Sequence, residues 1–192
     1  MNLVCIVRIV NSNLFGTRSR IVELVKELFA GGACVYKQKS RTDNRGPMTY
    51  IFDDSIEGFD IKETRIYTMP KKGTFFGIHY REKEANLSKL VSVIRGRGLD
   101  YVIDLREDSE TYLKWEAVEI SGDNSLAVYI PAGFGHAFIS LEDDTMQVFV
   151  TDKTGKEGYS KYLNYTDEKI GLKLPIPISE ISDYDTESPI LK

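Results

Sequence analysis

The sequence predicts a mainly β fold, a jelly roll built from many short strands. A series of runs rich in β-branched and aromatic residues extends from residue 48 to residue 150, and turn-forming segments separate the runs. Short strands at this spacing are typical of sandwiches and barrels. The predicted strands cover residues 48–52, 64–68, 74–80, 89–94, 101–105, 126–130, 137–141 and 145–150.

Two segments of different character flank this predicted core of residues 43–150, and we interpret all of 1–192 as a single domain. In the N-terminal extension, 1–42, the first ten residues predict a strand. A helix capped by Ser19 is predicted next, because apolar residues recur at helical spacing. Those residues are Ile21, Leu24, Val25, Leu28 and Phe29. Residues 151–192 are polar, and their prolines predict a loop-rich C-terminal segment.

Composition narrows the class of protein. A chain of 192 residues is long enough for one good hydrophobic core. Its net charge of −4 argues against a nucleic-acid-binding surface, which needs clustered positive charge. No apolar run approaches the roughly 18 residues of a membrane span. With only two cysteines, Cys5 and Cys34, we predict reduced thiols and a cytoplasmic protein.

Histidine is scarce, which limits the possible chemistry. The chain has only His79, near the end of one predicted strand, and His136, near the start of another. A metal site in a jelly roll needs several histidines and a carboxylate around one ion, and this sequence has neither a His-x-His pair nor a third imidazole. We therefore predict no metal.

Several motifs occur in a specific order along the chain. They are Gly-Ile-His-Tyr at 77–80, Ser-Lys-Leu-Val at 88–91, Asp-Tyr-Val-Ile-Asp-Leu-Arg at 100–106, Ile-Pro-Ala-Gly-Phe-Gly-His-Ala-Phe at 130–138 and Asp-Glu-Lys-Ile-Gly at 167–171. The ordered set resembles the dTDP-4-dehydrorhamnose 3,5-epimerase family from about residue 43 to residue 175. This resemblance implies a cupin-type double-stranded β-helix and a homodimer with exchanged strands.

The resemblance also implies a reaction and a catalytic set. Family members act on a nucleotide-linked 4-keto-6-deoxyhexose, whose ketone acidifies the protons on the carbons beside it. His79 would be the base, since an imidazole has a pKa near 6.5. Asp167 would orient its ring, and Lys89 would face the developing enolate oxygen. The ketone is the electron sink, so no cofactor is expected.

Further residues are candidates for the substrate pocket. Arg45 lies where the family has an arginine in Asp-x-Arg-Gly, and its planar guanidinium would suit a diphosphate, including that of a neighbouring subunit. Asp104 and Arg106 either form a structural ion pair or line the site. The remaining candidates for substrate binding are Arg65, Phe76, Arg81, Tyr129, His136 and Phe149.

Three positions depart from the family pattern. Phe76 stands where the family usually has an arginine, and Arg81 replaces a common glutamine. Phe149 stands where the family usually has the tyrosine proposed to reprotonate the sugar. Phenylalanine has no proton to donate.

These departures favour an epimerase that acts at C3 alone, on a CDP- or dTDP-linked sugar in deoxysugar or lipopolysaccharide O-antigen biosynthesis. Water, Tyr129 or another group would then supply the second proton. A full 3,5-epimerase, a sugar-nucleotide-binding cupin without activity and another cupin isomerase, such as a ketoisomerase, are the alternatives.

Overall fold

Two antiparallel β-sheets face each other in the computed structural model, which describes residues 22–29, 32–52, 56–81, 87–154 and 160–191. The strands are β1 (Val22–Leu28), β2 (Ala33–Gln38), β3 (Ser40–Asp43), β4 (Gly46–Thr49), β5 (Glu63–Met69), β6 (Phe75–Tyr80), β7 (Lys89–Arg95), β8 (Arg97–Asp104), β9 (Trp115–Ser121), β10 (Leu126–Ile130), β11 (Phe134–Ser140), β12 (Thr145–Thr151) and β13 (Lys161–Tyr162). One short helix, α1 (Asp183–Thr186), follows near the end of the described chain.

The strand order brings distant parts of the sequence together. The first sheet has six strands in the order β1-β2-β10-β7-β12-β5, and the second has five in the order β13-β6-β11-β8-β9. Strands β3 and β4 form a separate hairpin. All the pairings of these strands are antiparallel, and most connect strands that are not consecutive. The predicted mainly β, two-sheet architecture is therefore confirmed.

The main hydrophobic core lies between the two sheets. Alternate residues along each strand point inward, as the pleat of a β-strand requires. The first sheet contributes Met69, Val91 and Ile130, and the second contributes Val102 and Phe138, all of them buried. Burial of such side chains stabilises a fold by about 1.5–3 kcal/mol each.

Two smaller clusters cover the outer faces of the sheets. Ile56 and Phe59 cover Tyr36 and Leu90 on the outside of the first sheet. Leu163 and other apolar residues of the C-terminal segment pack on the outside of the second sheet. The C-terminal segment is thus an integral layer of the fold, although it contains little regular structure.

The predicted helix after Ser19 is wrong where the structure describes it. Residues 22–28 form strand β1, which pairs with β2 at the edge of the first sheet. Leu24 and Val25, two of the residues at helical spacing, are exposed. A helix here would have no core to pack its apolar face against, so pairing with β2 determines the structure of this segment despite the helical spacing. The predicted strand at residues 1–10 lies outside the described residues.

The predicted boundary at residue 43 does not coincide with an edge of the sheet, because β1 and β2 both precede it. Strand β9 was not predicted, since two glutamates interrupt the apolar residues of its sequence, Trp-Glu-Ala-Val-Glu-Ile-Ser. Among the described residues, no helix is long and apolar enough to cross a membrane.

Asp104 and Arg106 form a structural ion pair at the end of β8. The Arg106 Nε donates to Asp104 Oδ1 at 2.8 Å, and a guanidinium nitrogen donates to Oδ2 at 2.7 Å. Ser109 and Thr111 donate their hydroxyls to Oδ2 at 2.6 and 2.5 Å. Burial alone would raise the pKa of Asp104, but these hydrogen bonds together outweigh it and lower the pKa to about 2.

This cluster predicts a pH-dependent contribution to stability. A folded-state pKa below the unfolded value of about 3.9 stabilises the fold above pH ~5, by about 2 kcal/mol, and the contribution is lost as pH falls toward 2. We expect Asp104→Asn to lower the free energy of unfolding at pH 7 and to flatten its decline between pH 5 and 2. Urea unfolding at several pH values measures the free energy of unfolding and its pH dependence. The exposed Asp123→Asn is the control and should change neither quantity. An unchanged pH profile in Asp104→Asn would contradict the assignment.

Candidate active site

A pocket opens between the two sheets, where β6 and β11 of the second sheet face β7 and β12 of the first. Its walls combine basic side chains with aromatic ones. They include Arg65, Phe76, His79, Arg81, Lys89, Phe134, His136, Gln147 and Phe149. A partly apolar cavity with a few converging polar groups is the usual form of a small-molecule site.

The two histidines lie opposite each other on neighbouring strands. His79 of β6 is the register partner of His136 of β11. The two strands approach so closely beside this pair that a Cβ atom at Gly77 would lie 2.5 Å from the Cβ of Ala137. Gly77 also has a φ of +122°, which L side chains rarely adopt. A glycine at position 77 therefore allows the register that brings both imidazoles into the pocket.

His79 is held by a carboxylate from the C-terminal segment. Its Nε2 lies 2.6 Å from Oδ1 of Asp185, which is 2% exposed. Asp185 lies in α1, whose first turn Ser182 caps by accepting a hydrogen bond from the Asp185 N–H. The carboxylate accepts the imidazole N–H, so the other ring nitrogen keeps its lone pair and can act as a base.

Asp167, which we expected to orient His79, is occupied elsewhere. Its Oδ1 accepts a hydrogen bond from the Lys169 N–H at 2.8 Å, and its Oδ2 accepts one from the Leu191 N–H at 2.5 Å. These bonds tie a turn to the chain end. The prediction chose the wrong carboxylate of the C-terminal segment, because Asp185 occupies the position beside the imidazole.

His136 is the centre of a buried chain of hydrogen bonds. Lys89 Nζ lies 3.2 Å from His136 Nδ1, and His136 Nε2 lies 2.8 Å from Asp100 Oδ2. An ammonium group can only donate, so Nδ1 must accept and Nε2–H must donate to Asp100. The chain therefore runs from Lys89 through a neutral His136 to Asp100.

Burial and charge explain the pKa values along this chain. Burial lowers the pKa of His136 well below its usual value, and the Lys89 ammonium lowers it further, so the ring stays neutral. Burial also lowers the pKa of Lys89, to about 8, although Asp100 opposes the shift. Burial raises the pKa of Asp100, which Lys89 counteracts. Lys89 is thus still largely charged at pH 7, in a desolvated position where its field is strong.

Four of the other predicted pocket residues line the same cavity. Phe76 packs its ring against those of His79 and His136, with centroids 5.7 and 5.5 Å apart. Phe149 lies on β12 opposite Arg65 of β5, so an aromatic and a cationic side chain share one wall. Arg81 lines the cavity just beyond β6.

Two predicted pocket residues lie outside the cavity. Tyr129 points to the outer face of the first sheet and packs edge-on against Phe59, with ring centroids 5.7 Å apart. Its neighbour Ile130 points inward instead, as alternation along a strand demands. Arg45 lies on the exposed β3–β4 hairpin, where it bonds Asp43. The prediction that Tyr129 contacts substrate is therefore wrong for this pocket, and Arg45 does not reach the pocket of its own chain.

The reasoning from sequence missed Asp185, Asp100 and Gln147. Asp185 follows Ser182 in a Ser-x-x-Asp pattern that marks a helix start, but this pattern does not indicate contact with a histidine. Asp100 begins the motif at 100–106, and the motif does not indicate contact with a histidine on a neighbouring strand. In the described part of the chain, no three His, Cys, Asp or Glu side chains are grouped to hold a metal ion.

The comparisons with known proteins agree with this geometry. Residues 28–192 match a family model described as dTDP-4-dehydrorhamnose 3,5-epimerase. A dTDP-4-dehydrorhamnose 3,5-epimerase of Methanothermobacter thermautotrophicus is 31% identical over 149 residues, covering 76% of this chain and 80% of that protein. A dTDP-4-dehydro-6-deoxyglucose 3-epimerase of Streptomyces bikiniensis is 36% identical over 121 residues, covering 62% of each chain.

A solved structure shows that the cupin architecture is shared as well. The crystal structure of ChmJ, a 3'-monoepimerase from Streptomyces bikiniensis in complex with dTDP-quinovose, superposes with a TM-score of 0.76 at 30% identity and covers 83% of both chains. Since the family model matches well over half of the sequence, the chain belongs to the dTDP-4-dehydrorhamnose 3,5-epimerase family.

Proposed function

We propose that the protein epimerises a nucleotide-linked 4-keto-6-deoxyhexose at C3 alone, in deoxysugar or O-antigen biosynthesis. The observation that carries this proposal is that one pocket is lined by His79, Lys89 and His136, of which His79 is paired with Asp185 and the other two are linked to Asp100. Relatives named for dTDP-sugars favour dTDP as the nucleotide, with CDP as the alternative. A cytoplasmic location and the lack of a cofactor stay predictions.

The mechanism begins with removal of a proton beside the ketone. His79 takes the C3 proton through the ring nitrogen that does not face Asp185, and the carboxylate stabilises the imidazolium that forms. Electron density then moves onto the C4 oxygen. The Lys89 ammonium, held in place by neutral His136, stabilises the enolate, and a single contact of this kind contributes about 3–4 kcal/mol.

Selectivity for C3 follows from the second proton transfer. A donor on the opposite face of the sugar must return a proton, and Phe149 has none to offer. Tyr129 is no substitute, because its ring lies on the outer face of the sheet. Water, or a pocket group with an ionisable proton such as Tyr80 or Lys153, supplies the proton at C3. The relatives include both a 3-epimerase and 3,5-epimerases, so action at C3 alone occurs among them.

The same residues distinguish the proposed 3-epimerase from the alternative functions. A full 3,5-epimerase needs protonation at two carbons, which favours a tyrosine at the position of Phe149. A binding protein without activity has no need of a buried carboxylate that orients a histidine, so Asp185 argues against it. Another isomerase of keto sugars remains compatible with the His79–Asp185 pair, and product analysis separates it from an epimerase.

We also propose a homodimer in which Arg45 reaches the diphosphate in the partner's pocket. The Arg45 side chain is 86% exposed and extends from a hairpin outside both large sheets. On β5, an edge strand of the first sheet, Ile66 is 58% exposed. In the described part of the chain no further strand pairs with this edge of β5, and an edge with an exposed apolar side chain is suited to pairing with a second copy.

Three predictions test the proposed function, and the first of them concerns solvent exchange. In deuterated buffer with dTDP-4-keto-6-deoxyglucose, or its CDP counterpart, proton NMR should show deuterium entering at C3 and not at C5. His79→Asn should abolish the exchange. Phe149→Tyr should add exchange at C5, because it restores a donor. Exchange at both carbons in the unaltered protein would contradict selectivity for C3, and no exchange with either nucleotide would contradict the proposed function.

The second prediction separates the two carboxylates of the C-terminal segment. Asp185→Asn should reduce the rate of C3 exchange at least about 100-fold, because the imidazole loses its orienting acceptor. Asp167→Asn should lower the melting temperature and leave the exchange rate within a few-fold. The exposed Asp183→Asn, in the same helix, is the matched control. Loss of exchange in Asp167→Asn with normal exchange in Asp185→Asn would reverse the assignment.

The third prediction tests whether Arg45 acts across subunits. His79→Asn and Arg45→Ala chains are each expected to be inactive, or nearly so, alone. After mixing and subunit exchange, a mixed dimer contains one site with His79 from one chain and Arg45 from the other, and C3 exchange should return. A monomer by light scattering, or no recovery on mixing, would refute this arrangement.

A further inference from the structure

Gln147 is a buried polar side chain without a partner in the described part of the chain. It lies on β12 and is 0% exposed, yet neither its Oε1 nor its Nε2 makes a hydrogen bond. Buried amide groups in native proteins are nearly always bonded, since an unmade bond carries the full cost of desolvation. Such an exception indicates that the amide bonds a group that is absent from this structure, such as a ligand.

None of the described residues around Gln147 makes a hydrogen bond to its amide. Its register partners are Val93 on β7 and Tyr67 on β5. Nearby inward-facing side chains of the same sheet, such as Met69 and Val91, are fully buried and apolar. An apolar residue of similar size would fill the space at lower cost, so the amide gains its benefit only when another molecule is present.

The missing partner belongs in the pocket. Gln147 lines the same cavity as His79, Lys89 and Phe149. It lies two residues along β12 from Phe149 on the same face of the strand, and it is the less exposed of the two. Among the buried side chains that the structure describes, Asp100 Oδ1 also has no hydrogen-bond partner, but Asp100 does not line this cavity.

The chemistry of the amide indicates the group that it would bind. A carboxamide both donates and accepts hydrogen bonds, which matches a hydroxyl group that does the same. It carries no charge, so it does not match a diphosphate, for which Arg65 and Arg81 in the same cavity are better suited. A buried neutral position therefore fits the sugar part of the ligand.

We propose that the Gln147 carboxamide binds a hydroxyl of the hexose and so determines which sugar the site accepts. The inference rests on the proposed function, because it takes a nucleotide-linked sugar as the ligand. A site that hydrogen-bonds a substrate hydroxyl rejects analogues that lack it, because its buried polar group is then left unbonded. Gln147 is in this sense a specificity-determining residue, and it takes no part in proton transfer.

A pair of glutamine substitutions tests this proposal. Gln147→Met keeps the length of the side chain and removes its polar atoms. The matched control is Gln38→Met, since Gln38 is also buried but bonds Ile51 and Ser92 within the fold. Calorimetry with dTDP-quinovose and with dTDP alone measures binding of the sugar and of the nucleotide, and thermal unfolding without ligand measures stability.

Gln147→Met should bind dTDP-quinovose about tenfold or more weakly, bind dTDP normally and melt no lower than the unaltered protein. Gln38→Met should show the reverse, a lower melting temperature and unchanged binding. Equal affinity of Gln147→Met and the unaltered protein for dTDP-quinovose would overturn the proposal, as would a melting temperature lowered as in Gln38→Met. If the unaltered protein binds neither ligand, the proposed function fails first, and the role of Gln147 with it.

Discussion

The active site depends on the contact between His79 of β6 and Asp185 of the C-terminal segment. These residues are 106 positions apart in the chain, and the C-terminal segment must fold against β6 to bring them together. Ile78 and Leu163 exchange two backbone hydrogen bonds beside the histidine, and the Phe75 N–H donates to the carbonyl of Glu180. The His79–Asp185 pair is therefore complete only when the outer layer of the second sheet is in place.

The two histidines differ in role because they differ in environment. His79 is 30% exposed, and its Nε2 contacts the Asp185 carboxylate, which would stabilise an imidazolium formed on that ring. His136 is 3% exposed and lies beside an ammonium group, which opposes protonation. A neutral His136 can position Lys89 without competing with His79 for the proton. Burial and the neighbouring Lys89 charge thus suit His136 to a structural role, whereas His79 is suited to act as the base in the proposed mechanism.

Features that depend on local sequence pattern were predicted correctly, whereas features that depend on packing between distant segments were not. The core strands were predictable because runs of β-branched and aromatic residues are local features. The positions of His79 and Lys89 in the pocket were predictable only through the resemblance of the ordered motifs to a known family. Strand β1 was mistaken for a helix, because its pairing partner is not encoded in its own spacing. Asp185 was missed for a related reason, since the path of a loop-rich segment with two candidate carboxylates depends on tertiary contacts. The prediction that Tyr129 contacts the substrate was wrong because adjacent residues of β10 point to opposite faces of the sheet.

Strand β12 carries two neighbouring inward positions that act on different steps. In the proposed mechanism, Phe149 limits proton transfer, because it cannot protonate the sugar, and this restriction applies after the substrate has bound. Gln147 lies deeper and acts on binding itself, because its amide must be bonded by whatever fills the cavity. A substitution at either position is expected to change one step and leave the other. The choice of the carbon that is epimerised and the choice of the sugar that is bound would then depend on different residues of the same strand.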